Sequence, residues 1–148
     1  MTTHVSKRSA YEQARREHEQ LRERLKFLHH QLELRQVPLA EMERLLNEFR
    51  GRLESHFHSE EHEGFFDQVV SRAPQLSRQA DSLSHEHVEL LQGLDSLIGL
   101  AGCDTDQPQC WRVLTLRFED FMKQLMHHES EENGMLQEAY SDDLGTKD

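Results

Sequence analysis

Two stretches of this chain set a histidine, and then a glutamate one helical turn later, on a stripe that is otherwise apolar. In FRGRLESHFHSE, residues 49–60, the pair is His56 and Glu60; in FMKQLMHHESEE, residues 121–132, it is His128 and Glu132. Leu39, Met42, Leu46, Phe49 and Leu53 lead into the first pair at alternating steps of three and four. Trp111, Leu114, Phe118, Phe121 and Leu125 lead into the second, each 72 positions later. Residues at such steps share one helix face, so both pairs point where leucines pointed a turn before. A carboxylate turned inward without a partner is costly to desolvate. A cation is the expected partner.

The elements needed to position these pairs are helices. In the N-terminal stretch Tyr11, Ala14, Leu21, Leu25, Leu28 and Leu32 share a face, and His18 takes the missing step. Further on, Ala80, Leu83, Leu90, Leu94, Leu97 and Ala101 share another, and His87 takes the matching step, 69 positions after His18. Each of these histidines follows a glutamate, Glu17 and Glu86. The chain reads as one helical hairpin written twice. Pro38, Ala73-Pro74 and the Gly102 to Pro108 segment interrupt the periodicity. Helices are therefore expected from Ser9 to Leu34, Leu39 to Phe66, Gln75 to Ala101 and Gln107 to Tyr140, the last capped by Asp106. Residues 1–7 read as a frayed leader and 141–148 as a polar tail. Four amphipathic helices with short connections predict a single all-α domain, an up-down-up-down antiparallel four-helix bundle.

At 1.5 Å rise per residue the histidines of the first three helices fall at roughly one level. His87 and His128 are mismatched by about 9 Å if helix ends are aligned. Either the third helix continues past Ala101 or the cysteine loop overlaps the top of the fourth.

Composition narrows the function. Three prolines, seven glycines and few β-branched residues argue against a sheet, and a formal charge of −11 argues against nucleic acid or an anionic membrane as partner. Eleven histidines fit a protein that holds cations. With no apolar leader and no run of eighteen apolar residues, a cytoplasmic location is expected. Cys103 and Cys110 then read as free thiols, with a local disulfide or a redox role as the alternatives.

Six residues are expected to converge on one layer: His18, His56, Glu60, His87, His128 and Glu132. A His4Glu2 set is too large for a tetrahedral structural zinc and suits a pair of octahedral ions. With both carboxylates bridging and an oxide or hydroxide shared, about two positions stay open to small ligands. His127 with Glu131 has the same spacing as His128 with Glu132 but lies about 100° off the Trp111-to-Leu125 stripe, which favours the latter pair without closing the question. His58 with His62 lies off the stripe too and reads as solvated or as an outer partner. His4, His29, His30 and His85 read as surface residues. Glu61 and Glu131 are possible acceptors for ligand imidazoles, and equally a solvated face.

The strings EHEQLRERL, HFHSEEHEGFF, EHVELLQGL and HHESEENGML, spread over nearly the whole chain, resemble the hemerythrin-like, HHE cation-binding family. That resemblance implies a four-helix bundle around a non-haem di-iron site, with His18, His56 with Glu60, His87, and His128 with Glu132 as the ligands. The four histidines would be terminal ligands and the two glutamates bridges. Oxygen-carrying members place a further histidine where this chain has Leu83, a departure that favours oxygen, nitric oxide or peroxide chemistry, or iron sensing and handling, over simple oxygen carriage. The leading expectation is two iron ions, oxo- or hydroxo-bridged, that bind or sense a small oxidant, with zinc or manganese able to satisfy the same ligands. The alternatives are iron storage, donation or sensing, a peroxidase or oxidase at the same site, and a bundle that has lost its metal and docks a protein.

Overall fold

The computed structural model of the chain describes residues 7–103 and 107–141. His4, the Asp106 cap and nearly all of the expected leader and tail lie outside them. Four long helices dominate: α1 (Lys7–Leu34), α2 (Leu39–His62), α4 (Ser77–Ala101) and α5 (Pro108–Ala139). A short α3 (Phe65–Arg72) and a 3-10 turn (Pro74–Leu76) join α2 to α4. No strand occurs among the described residues.

Helix starts and stops follow proline and glycine chemistry. Pro38 precedes α2 with extended backbone, φ −68° and ψ 157°, and Pro108 opens α5, where a missing N–H leaves no bond unmade. One expected boundary is wrong. The second helix does not run to Phe66; it stops at His62, and Gly64 turns the chain with φ 100° before α3 begins. Leu39 to Phe66 looked continuous because a lone glycine is tolerated within helical periodicity. Here a positive φ, cheap only for glycine, decides the matter.

α1 packs against α2 and α5, and α4 packs against the same two, so α1 and α4 face each other diagonally in an antiparallel bundle. The α1–α2 interface is the thinnest of the four. The predicted stripes are the buried ones: Leu25, Leu28, Leu32, Met42, Leu46, Phe49, Leu53, Leu94, Leu114, Phe118 and Leu125 are fully enclosed. They form one apolar cluster toward the α1–α2 turn. A second cluster, with Tyr11, Phe66, Val69, Leu83, Met135, Leu136 and Tyr140, closes the other end, where α3 lies across the bundle. The histidine and glutamate layer sits between the two.

α4 does end at Ala101, so the surplus of about 9 Å on the α5 side lies in the first turns of α5, not in a longer α4. Cys103 and Cys110 are unbridged, with their Sγ atoms 3.5 Å apart. No described helix is long and apolar enough to cross a membrane.

Candidate metal centre

The apolar stripes carry all six expected residues inward. His18, His87 and His128 are 1–2% exposed, His56 8%, Glu60 3% and Glu132 0%. Their donor atoms fall into two groups, His18, His56, Glu60 and Glu132 on one side and Glu60, His87, His128 and Glu132 on the other. Within each group the donor atoms lie within 4.8 Å of one another, a spacing that could hold a metal ion. Glu60 and Glu132 belong to both. The competing pair is turned outward: the His127 side chain is 75% exposed and 4.0 Å from Glu131. The other off-stripe histidines also stay outside, His58 and His62 against each other and His29 against Glu119 at 2.9 Å.

Every imidazole divides its two nitrogens the same way. Each Nε2 faces the centre: His18 lies 3.0 Å from Glu132, His56 3.0 Å from Glu60, His87 3.0 Å from Glu60 and His128 2.9 Å from Glu132. Each Nδ1 faces outward to an acceptor: Asn133 Oδ1 at 2.7 Å for His18, Glu17 at 3.0 Å for His56, Glu61 for His87 and Glu86 at 2.7 Å for His128. An Nδ1–H that donates outward leaves the Nε2 lone pair free inward, the tautomer that a metal requires. Of these acceptors Glu61 alone was foreseeable as one; Glu131 is not one. Glu17, Glu86 and Asn133 were missed, although the repeat carried the signal. Glu17 and Glu86 precede His18 and His87, while Glu61 and Asn133 follow Glu60 and Glu132, and each reaches a histidine of a neighbouring helix.

The inward atoms fit a cation better than they fit each other. His56 Nε2, His128 Nε2, Glu60 Oε1 and Glu132 Oε1 are buried and make no hydrogen bond. Yet all four lie within ion-pair distance of an opposite group. The angles decide between these two descriptions, because a lone pair aimed past its neighbour gains little from closeness. Such atoms point at a common space.

The electrostatics ask for positive charge in that space. Burial disfavours a charged His18, but contacts with Glu132 and Glu60 outweigh it and lift its pKa to about 11. Burial is likewise overcome at His56, by Glu17 and Glu60, to about 9, and at His87, by Glu132 and Glu60, to about 10. His128 is raised too, against burial, by Glu132. Burial alone would raise the Glu132 carboxyl, but the imidazoles of His128, His18 and His87 hold it well below the usual carboxylate range. Protons on the imidazoles meet the demand for charge, and a metal cation would displace them.

Phe57 walls the layer from the His87 side, its ring stacked 3.8 Å from that imidazole. On the opposite side a pocket of about 240 Å³ opens at the thin α1–α2 interface and reaches His56 and Glu60 past Glu17, Glu63 and Phe65.

No curated protein and no solved structure matches the chain. The family model described as Hemerythrin HHE cation binding domain matches residues 9–140, a span holding all four bundle helices' site residues and each of their outward acceptors. The chain belongs to that family.

Proposed function

We propose that the protein holds two metal ions, iron in the first place, and uses them to bind or sense a small oxidant such as dioxygen, nitric oxide or peroxide. The observation that carries this reading is the pair of donor groups sharing Glu60 and Glu132 in a buried layer. His18 and His56 would serve one ion, His87 and His128 the other, and the two glutamates both. Such a pair of ions supplies electrons and open positions to a small ligand. The chain's own contribution is to fix the histidine tautomers through Glu17, Glu61, Glu86 and Asn133, and to keep bulk water out with two apolar clusters. It also leaves openings at the α1–α2 interface beside His56.

Metal analysis with an optical spectrum, taken before and after oxygen reaches the reduced protein, tests this. Near two iron per chain and a charge-transfer band on oxidation are expected; one ion per chain, or iron indifferent to oxygen, would overturn it.

A second reading, iron handling or sensing through metal-dependent folding, is favoured by one observation. Seven polar or charged residues are buried at mid-bundle, and a chain that buries so many depends on what neutralises them. Apo and loaded forms that melt alike would remove it.

A further inference from the structure

We infer that Glu129 is a seventh protein ligand, supplying a carboxylate oxygen to the ion on the His18 and His56 side of the centre. The inference rests on the two-metal reading above and adds a residue to it.

The two sides of the layer are related by the repeat in the chain. His18 corresponds to His87, displaced by 69 positions, and His56 and Glu60 correspond to His128 and Glu132, displaced by 72. The residue after His56 is Phe57, and its counterpart after His128 is Glu129. Phe57 reaches from α2 across to the imidazoles of the other side, stacked on His87 and edge-on to His128 at 5.7 Å. Glu129 occupies the corresponding place on α5, and the charges acting on it come from His18, His56, Glu132 and Arg22. Where one side of the centre is closed by a phenyl ring, the other holds a carboxyl group.

That carboxyl group is 1% exposed, and neither of its oxygens has a hydrogen-bond partner. Among the described residues it is the one acid with both oxygens buried and unpartnered. Arg22, whose charge also acts on it, has an unpartnered Nε of its own, yet among the described residues no ion pair joins the two. The protein thus encloses an acid where an apolar side chain would fit more easily. A cation arriving beside His18 and His56 is the partner the fold supplies. The two ions would then be unlike: one gains an extra anionic donor, and the other faces Phe57, with Leu83 a turn from His87.

The test compares wild type with Glu129→Gln and with the exposed control Glu131→Gln. Each is titrated anaerobically with Fe(II) against a competing chelator, and separately with Co(II), whose d–d bands report the number of ligands. The expected result is two ions in wild type and in Glu131→Gln. In Glu129→Gln one of the two should weaken by at least about tenfold, with a changed Co(II) spectrum and an apo melting temperature no lower than wild type. A Glu129→Gln chain that binds both ions with wild-type affinity and spectrum would overturn the ligand role while leaving the two-metal reading standing. The ligand role falls equally if Arg22→Gln lowers the apo melting temperature while Glu129→Gln leaves metal affinity untouched, since Glu129 would then serve Arg22. A wild-type chain that takes up fewer than two ions would sink both.

Discussion

The four imidazoles at mid-bundle are tied down from behind, and that sets what their outer acceptors are worth. Removing a group that fixes a ligand histidine commonly weakens metal binding by about ten- to a hundredfold. Glu86→Ala, which strips His128 Nδ1 of its 2.7 Å acceptor, should do this, and Glu17→Ala should do the same through His56. His128→Ala should lose metal outright, whereas His127→Ala should behave as wild type; chelator competition reads all four. Acidity offers a second check at this scale. His18, His56 and His87 are raised in the fold from 6.5 to about 11, 9 and 10. Groups raised in this way stabilise the apo fold fully below their unfolded pKa and lose that contribution as pH climbs through the folded values. Glu129, raised to about 7, acts in the same direction, while the depressed Glu132 loses its contribution only in acid. The apo protein should therefore melt at lower temperature near pH 9 than near pH 6, and the loaded protein should not, since metal replaces those protons. An apo melting temperature that rises over that interval would contradict the charge balance described above. The six inward residues were legible because each replaces a leucine in a periodic stripe. The acceptors behind them were not, because Glu17 and Glu86 are more than a third exposed and belong to the solvated flank until the neighbouring helix is in place.

At the scale of the element, the turn between α2 and α3 shows what periodicity leaves out. An added Cβ at Gly64 would meet nothing closer than Gln68 Nε2 at 3.6 Å, so any penalty there is one of backbone conformation. With φ at 100°, Gly64→Ala should cost about 1–2 kcal/mol, read from chemical denaturation, with α3 loosened from the bundle end. Gly51, which has open space around it and no positive φ, is the control: Gly51→Ala should be neutral or slightly stabilising. Periodicity gave both stripes of α4 and α5 correctly, from Ala80 to Ala101 and from Trp111 to Glu132, because a buried face repeats. It missed the break at Gly64, because a single positive φ leaves no trace in spacing. Nor does spacing reveal that Glu129 is buried. Only the approach of α1 shows that side of α5 to be enclosed.

For the molecule as a whole, the polar layer divides the core into two apolar clusters that meet only through it. Stability and metal loading should therefore be coupled. A ligand present at about a hundred times its dissociation constant adds about 2.7 kcal/mol per site to the folded state. Chelation should lower the melting temperature by several degrees at least, in calorimetry of the loaded and stripped chain. Leu94→Ala, at a fully enclosed position away from the layer, should cost about 2–5 kcal/mol in both forms alike. The bundle class and the doubling of the hairpin could be read from the chain because both are properties of its periodicity. Which pair of neighbouring helices would part could not, because side-chain volumes across an interface are not written in either helix alone.

The pocket beside His56 has a consequence for traffic. Its rim carries Glu17 and Glu63, and the chain as a whole bears a formal charge of −11. Field lines gathered there favour arriving cations, are indifferent to neutral molecules such as dioxygen or hydrogen peroxide, and slow anions. Azide should thus associate faster as ionic strength rises, while the on-rate for peroxide stays flat, so that the doorway sorts visitors by charge before the centre meets them.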